Sequence, residues 1–172
     1  ERISILGDGS FRNALGELQK VLNFSQDKTK GKKVSREDVE KITGAPKTVL
    51  VNDYIQALAE KNVEKGIGAV KKASEANLDM KLFFKLIIEK FRVAIILRYA
   101  PKLENEMSED LSREDLEFLK SLVKADKEGI LRSGALAVLL DEYQNMEKAF
   151  IMELPLELAL IRIVGETDNQ KK

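Results

Sequence analysis

The residues that could do chemistry are few. The chain contains no histidine and no cysteine. The commonest general base, the usual nitrogen and thiolate metal ligands, any His-containing triad and any disulfide are therefore excluded. No Walker A loop, GxGxxG, GxSxG or HExxH pattern occurs. Carboxylates are plentiful, but none stands in sequence surroundings that predict a raised pKa. Glu89 comes nearest, and its spacing from Lys85 predicts a charged pair on a solvated helix stripe.

One constellation remains: Gly9-Ser10-Phe11-Arg12-Asn13-Ala14-Leu15. Glycine lets the backbone approach another surface closely. Ser10 is a good N-cap, and the first N–H groups of the helix it opens carry partial positive charge. Arg12 falls in that first turn. A positive helix end beside a planar, permanently charged fork is a plausible grip for phosphate oxygens. Lys28, Lys30, Lys32 and Lys33 could also meet a phosphate backbone, but no aromatic interleaves with them, and a solubilising loop is the simpler reading.

The elements around these residues read as helical almost throughout. Leu, Ala, Glu and Lys dominate, strand-like alternation is nearly absent, and Gly and Pro fall at breaks. Net charge is zero, with 29 basic and 29 acidic residues, so no whole-chain basic field for nucleic acid exists. The apolar fraction of 44% supports a real core within 172 residues. The most apolar stretch, Leu82 to Tyr99, carries too many charges to lie in lipid. The cysteine-free composition fits a cytoplasmic protein.

Along the chain, a first helix is predicted from Phe11 to Phe24, with Ala14, Leu15, Leu18, Val21 and Leu22 on one face, then an exposed loop from Ser25 to Lys33. Ser35-Arg36-Glu37-Asp38 resembles a capping box for a short helix ending at Gly44, and Pro46 marks the domain boundary. Val51, Tyr54, Ile55 and Leu58 form one apolar stripe, and Val63, Ile67, Val70 and Ser74 another. Asp79 starts a central helix over Met80 to Ala100, stopped by Pro101. Its apolar surface spans Leu82, Phe83, Leu86, Ile87, Val93, Ala94 and Leu97. Asn105 to Asp110 is a loop, and Ser112-Arg113-Glu114-Asp115 is a second capping box. A long helix is predicted over Glu128 to Phe150 with Ala135 to Leu140 buried. A last helix opens at Leu154-Pro155 and ends at Gly165.

Taken together, these motifs resemble the bacterial DNA polymerase III gamma/tau clamp-loader family. Gly9 to Leu15 resembles the second-sensor motif of AAA+ clamp loaders, with Asn13 where an Asp is usual. Val34 to Gly44 looks like the rest of the lid, and Leu154-Pro-Leu-Glu-Leu-Ala-Leu-Ile-Arg-Ile163 resembles the end of the collar. The resemblance implies an all-α chain: a small helical lid over residues 1–45, a helical collar for oligomerisation over 46–166 and a polar tail over 167–172. It implies that Arg12, with Ser10 beside it, reaches the phosphates of ATP held with Mg by an upstream nucleotide domain. The chain beginning at Glu1 then reads as an excised fragment. On its own it would be no enzyme and hold no cofactor or metal, while its parent would be an ATPase subunit of a DNA polymerase holoenzyme, a nucleotidyltransferase. Its partners would be other clamp-loader subunits through the collar, with the sliding clamp and primed DNA met by the upstream domain, and no membrane. The competing expectations are the lid and oligomerisation region of another AAA+ ATPase, such as a replication-factor-C-like subunit, and a helical adaptor with no nucleotide link.

Overall fold

A computed structural model describes residues 11–28, 48–104 and 111–169. The chain divides into two compact units, 1–47 and 48–172. Among the described residues there is no strand, and the fold is all-α. The predicted Ser35 capping box, the helix ending at Gly44 and the 105–110 loop lie outside those residues.

In the first unit a helix, α1, runs Phe11–Lys28. It continues past the expected end at Phe24 into the segment predicted as a loop. Neither proline nor glycine interrupts Ser25 to Lys28, so nothing local stops the hydrogen-bond ladder there.

Among the described residues the second unit is a bundle of six α-helices: α2 Thr48–Ala59, α3 Val63–Glu75, α4 Met80–Tyr99, α5 Arg113–Ala125, α6 Ser133–Asn145 and α7 Leu154–Asn169. A 3-10 turn over Pro101–Leu103 follows α4. The helix ends are chemically specified. Lys61 and Asn77 take left-handed conformations after α2 and α3. The following amides reach back to the carbonyls of Ala57 and Ala73, which closes both helix ends in Schellman fashion. Asp79 accepts from the Leu82 amide at 3.0 Å to open α4, as predicted, and Ser112 accepts from the Asp115 amide at 3.2 Å to open α5.

Helix α4 is the axis of the unit and packs against α2, α3, α5 and α6. Its fully buried Phe83, Phe84, Ile87 and Phe91 are the centre of the core. Each such side chain contributes roughly 1.5–3 kcal/mol through removal from water. Phe83 meets the ring of Tyr54 edge-on at 6.5 Å, and Phe84 meets Tyr143 at 5.7 Å. The expected face was rotated slightly: Leu82, Leu86 and Val93 are only half-buried, while Met80, Phe84 and Phe91 go inside.

Four further expectations are corrected. The buried stripe of α3 is Gly66, Ala69, Val70 and Ala73, with Val63, Ile67 and Ser74 at its margin. Small residues are needed there because α7 lies close: a Cβ built on Gly66 would stand 2.5 Å from Leu160 Cδ2. Helix α6 covers only Ser133–Asn145 rather than 128–150, because the Asp126 carboxylate takes the amides of Ile130 and Leu131 at 2.9 Å each and Gly129 turns through φ +71°. Of the run Ala135 to Leu140, Ala137 and Leu140 are exposed, since six consecutive helical residues go more than once around the axis and cannot all face the core. Finally, α7 passes through Gly165 to Asn169, into the segment expected as a polar tail.

Gly66 and its neighbour on α3 give a paired prediction. Gly68→Ala adds a methyl to open space and should stabilise by about 0.5–1 kcal/mol through helix propensity. Gly66→Val should destabilise by about 1–3 kcal/mol through overpacking against fully buried Leu160. Thermal melts of the two variants moving the same way would refute the close approach of α3 and α7.

No described helix is long and apolar enough to cross a membrane.

Candidate functional site

Arg12 lies in the first turn of α1, with its side chain exposed and no acidic residue in that turn. A guanidinium there can meet an anion presented from outside its own helix. Ser10 and the turn before it lie outside the described residues, so the expected cap is not described. The apolar face predicted for α1 divides. Val21 is buried, whereas Phe11, Leu15, Leu18 and Leu22, spaced as one stripe along the helix, are exposed. Of the four lysines singled out beyond the helix, Lys28 ends α1, and Lys30, Lys32 and Lys33 lie outside the described residues.

In the second unit the outstanding surface is on α7. One side of this helix, Pro155, Leu156, Ala159, Leu160 and Ile163, is buried and packs on α3, α6 and α2. Leu154, Leu158 and Ile161 follow at intervals of four and three, on the opposite side, and are 43%, 40% and 50% exposed. Just before the helix, Phe150, Ile151 and Met152 are also exposed. A helix apolar on both sides leaves an exposed apolar surface of the kind that marks interaction sites.

Among the described residues three carboxylates are buried, and each is matched by a cation from another helix. Asp115 accepts from Lys90 Nζ at 2.6 Å, and the same ammonium donates to Asn52 at 2.7 Å. Asp126 pairs with Arg98. Glu142 accepts from Arg162 Nη1 at 2.6 Å and from Asn145 Nδ2 at 3.0 Å. Buried ions so paired hold helices in register; losing one partner would strand the other. None was foreseen from the sequence. The signal for Glu142 was present, since 135, 138, 139, 142 and 146 share one helical face. Glu89 and Lys85 are both half-buried on α4. Among the described residues no acidic cluster could hold a metal ion.

The Tyr54 hydroxyl, fully buried, donates to the Leu156 carbonyl at 2.7 Å and so ties α2 to the start of α7. Burial, and secondarily the Glu142 carboxylate, push its pKa well above the ordinary 10.0. The folded state thus keeps the phenol neutral, while the unfolded chain releases its proton near pH 10. The stabilisation is complete below that pH and is lost as pH rises above it. Stability should fall by about 1.4 kcal/mol per pH unit beyond pH 10 from this group. Urea titrations at pH 8 to 11 should show that component vanish in Tyr54→Phe; an unchanged slope would refute it.

The class that fold and surface define is an all-α bundle with an outward-facing apolar helix. No protein-family model matches the chain, and no curated protein is significantly similar to it.

Proposed function

We propose that the chain is the lid-and-collar part of a clamp-loader ATPase subunit of the bacterial gamma/tau type. In this reading residues 48–172 hold subunits together during ATP-dependent loading of a sliding clamp at DNA replication. The observation that carries it is α7, buried along one side and apolar and exposed along the other. An assembly module must leave such a face for its neighbours. The Leu154 to Ile163 motif that resembles the collar's end is the segment that carries this face. Exposed Arg12 suits a lid that contacts nucleotide bound by a domain upstream.

The test is assembly. Sedimentation of the 172-residue chain, alone and mixed with bacterial clamp-loader subunits, should show concentration-dependent complexes. A strict monomer that binds none of those subunits would overturn the reading. A helical adaptor with no nucleotide link would share the apolar face, and substitution of Arg12 separates the two.

A further inference from the structure

We infer that Met152 is a peroxide-sensitive modification site, and that its sulfoxide disables the apolar surface at the start of α7. The inference rests on the assembly reading above and deepens it by naming a chemical control of that surface.

Composition narrows the redox chemistry open to this chain. It has no cysteine, so its four methionines hold all of its sulfur. A hydroperoxide converts an accessible thioether to the sulfoxide, and reductases reverse the change. Burial then selects among the methionines. Met80 and Met146 are enclosed in the core, 8% and 2% exposed, whereas Met152 is 50% exposed. Met107 lies outside the described residues. The peroxide must reach the sulfur, so in the folded chain Met152 reacts ahead of Met80 and Met146.

The place of Met152 gives that reaction a consequence. Phe150, Ile151 and Leu154, its neighbours in sequence, are exposed and apolar, and α7 continues outward through Leu158 and Ile161. The turn that carries Met152 is fixed by other groups. The Leu154 amide donates to the Ile151 carbonyl at 3.2 Å, and the Glu157 amide donates to the Glu153 carbonyl at 3.1 Å. Ser74 Oγ donates to the Glu153 carboxylate. None of these bonds uses the Met152 side chain, so oxygen added to its sulfur changes the surface and leaves the bundle intact.

The step is a two-electron transfer. A sulfur lone pair attacks one oxygen of the hydroperoxide, the O–O bond breaks and an S–O bond forms. The displaced oxygen leaves with the proton, as an alcohol or, from hydrogen peroxide, as water. Sulfur is oxidised and the peroxide reduced. For the return, a dithiol supplies two electrons and two protons, the oxygen leaves as water and the dithiol becomes a disulfide. A flexible apolar side chain has meanwhile become a polar one, which a dry interface must strip of water. A subunit oxidised while free is thus held back from its neighbours, and a subunit already seated shields its sulfur.

Dilute hydrogen peroxide, a quench and a digest read by mass spectrometry test the site on the intact chain. Met152 should gain oxygen at least about 10-fold faster than Met80 and Met146, and urea should erase the difference. Equal rates in the folded chain would overturn the inference and leave the assembly reading intact. In sedimentation the oxidised chain should associate with itself or with bacterial clamp-loader subunits about 5- to 10-fold more weakly, with an unchanged thermal melt. Methionine sulfoxide reductase should restore the association. Equal association before and after conversion of Met152 would overturn the control alone. Met152→Leu, whatever its own affinity, should lose none of it to peroxide; a loss matching that of the unsubstituted chain would overturn the assignment to Met152. Excess partner subunits should slow oxygen uptake at Met152 and leave Met80 and Met146 as slow as before. A reduced chain that binds neither itself nor those subunits sinks both the control and the assembly reading.

Discussion

Asp126→Ala should lower the stability of the 48–172 unit by about 3–5 kcal/mol, a large effect for one surface-sized side chain. The carboxylate is wholly enclosed, and it does three jobs. One oxygen accepts the Ile130 amide, the other accepts the Leu131 amide, and the group pairs with Arg98. Ile130 and Leu131 are both fully buried, so water cannot replace the lost acceptor. Each stranded amide costs roughly 1–3 kcal/mol. Arg98 adds less, because its side chain is 28% exposed and can turn to solvent. Asp126→Asn, which keeps an acceptor oxygen but loses the charge, should fall in between. Urea unfolding followed by circular dichroism would measure both. A loss below about 1 kcal/mol for the alanine variant would mean that the 126–132 segment is not organised by this carboxylate.

Arg12→Ala should have its effect elsewhere. The side chain is exposed, so the stability of this chain should change by no more than about 0.5 kcal/mol. The clamp-loader reading places a nucleotide domain upstream, and in a protein that carries it the substitution should lower ATP turnover on the order of 10³-fold, the scale for removing an arginine that stabilises charge in phosphoryl transfer. Arg12→Lys should recover only part of it, because an ammonium keeps the charge but not the two-pronged geometry. Turnover within about twofold of the unsubstituted protein would remove the nucleotide link and leave the helical adaptor.

The legible parts of the fold were those written in local chemistry. Asp79, Ser112 and Pro101 announced the limits of α4 and the start of α5 because capping and ring closure act within one turn. The failures have a common cause in distant partners. Helix α6 begins late because a carboxylate outside it captures two amides. The stripe of α3 is shifted because Leu160, far along the chain, needs the space that Gly66 leaves. For α7, periodicity could not say which apolar side faces the core, since both sides carry leucine and isoleucine at helical spacing. The same ambiguity hid the candidate assembly face. Arg12 was legible as an exposed cation at a helix start, and its proposed role came from resemblance rather than from geometry.

The bond from Tyr54 to Leu156 joins residues 102 apart and closes the bundle between its first helix and its last. A chain made from its N-terminus must therefore wait. Until α7 has left the ribosome, the small-residue stripe of α3 and the hydroxyl of Tyr54 have no lid, and the earlier helices cannot settle into their final packing. Folding of this unit is thus gated by the last of its described helices to be synthesised, and loss of α7 by premature termination would leave the earlier helices exposed for capture by chaperones and proteases.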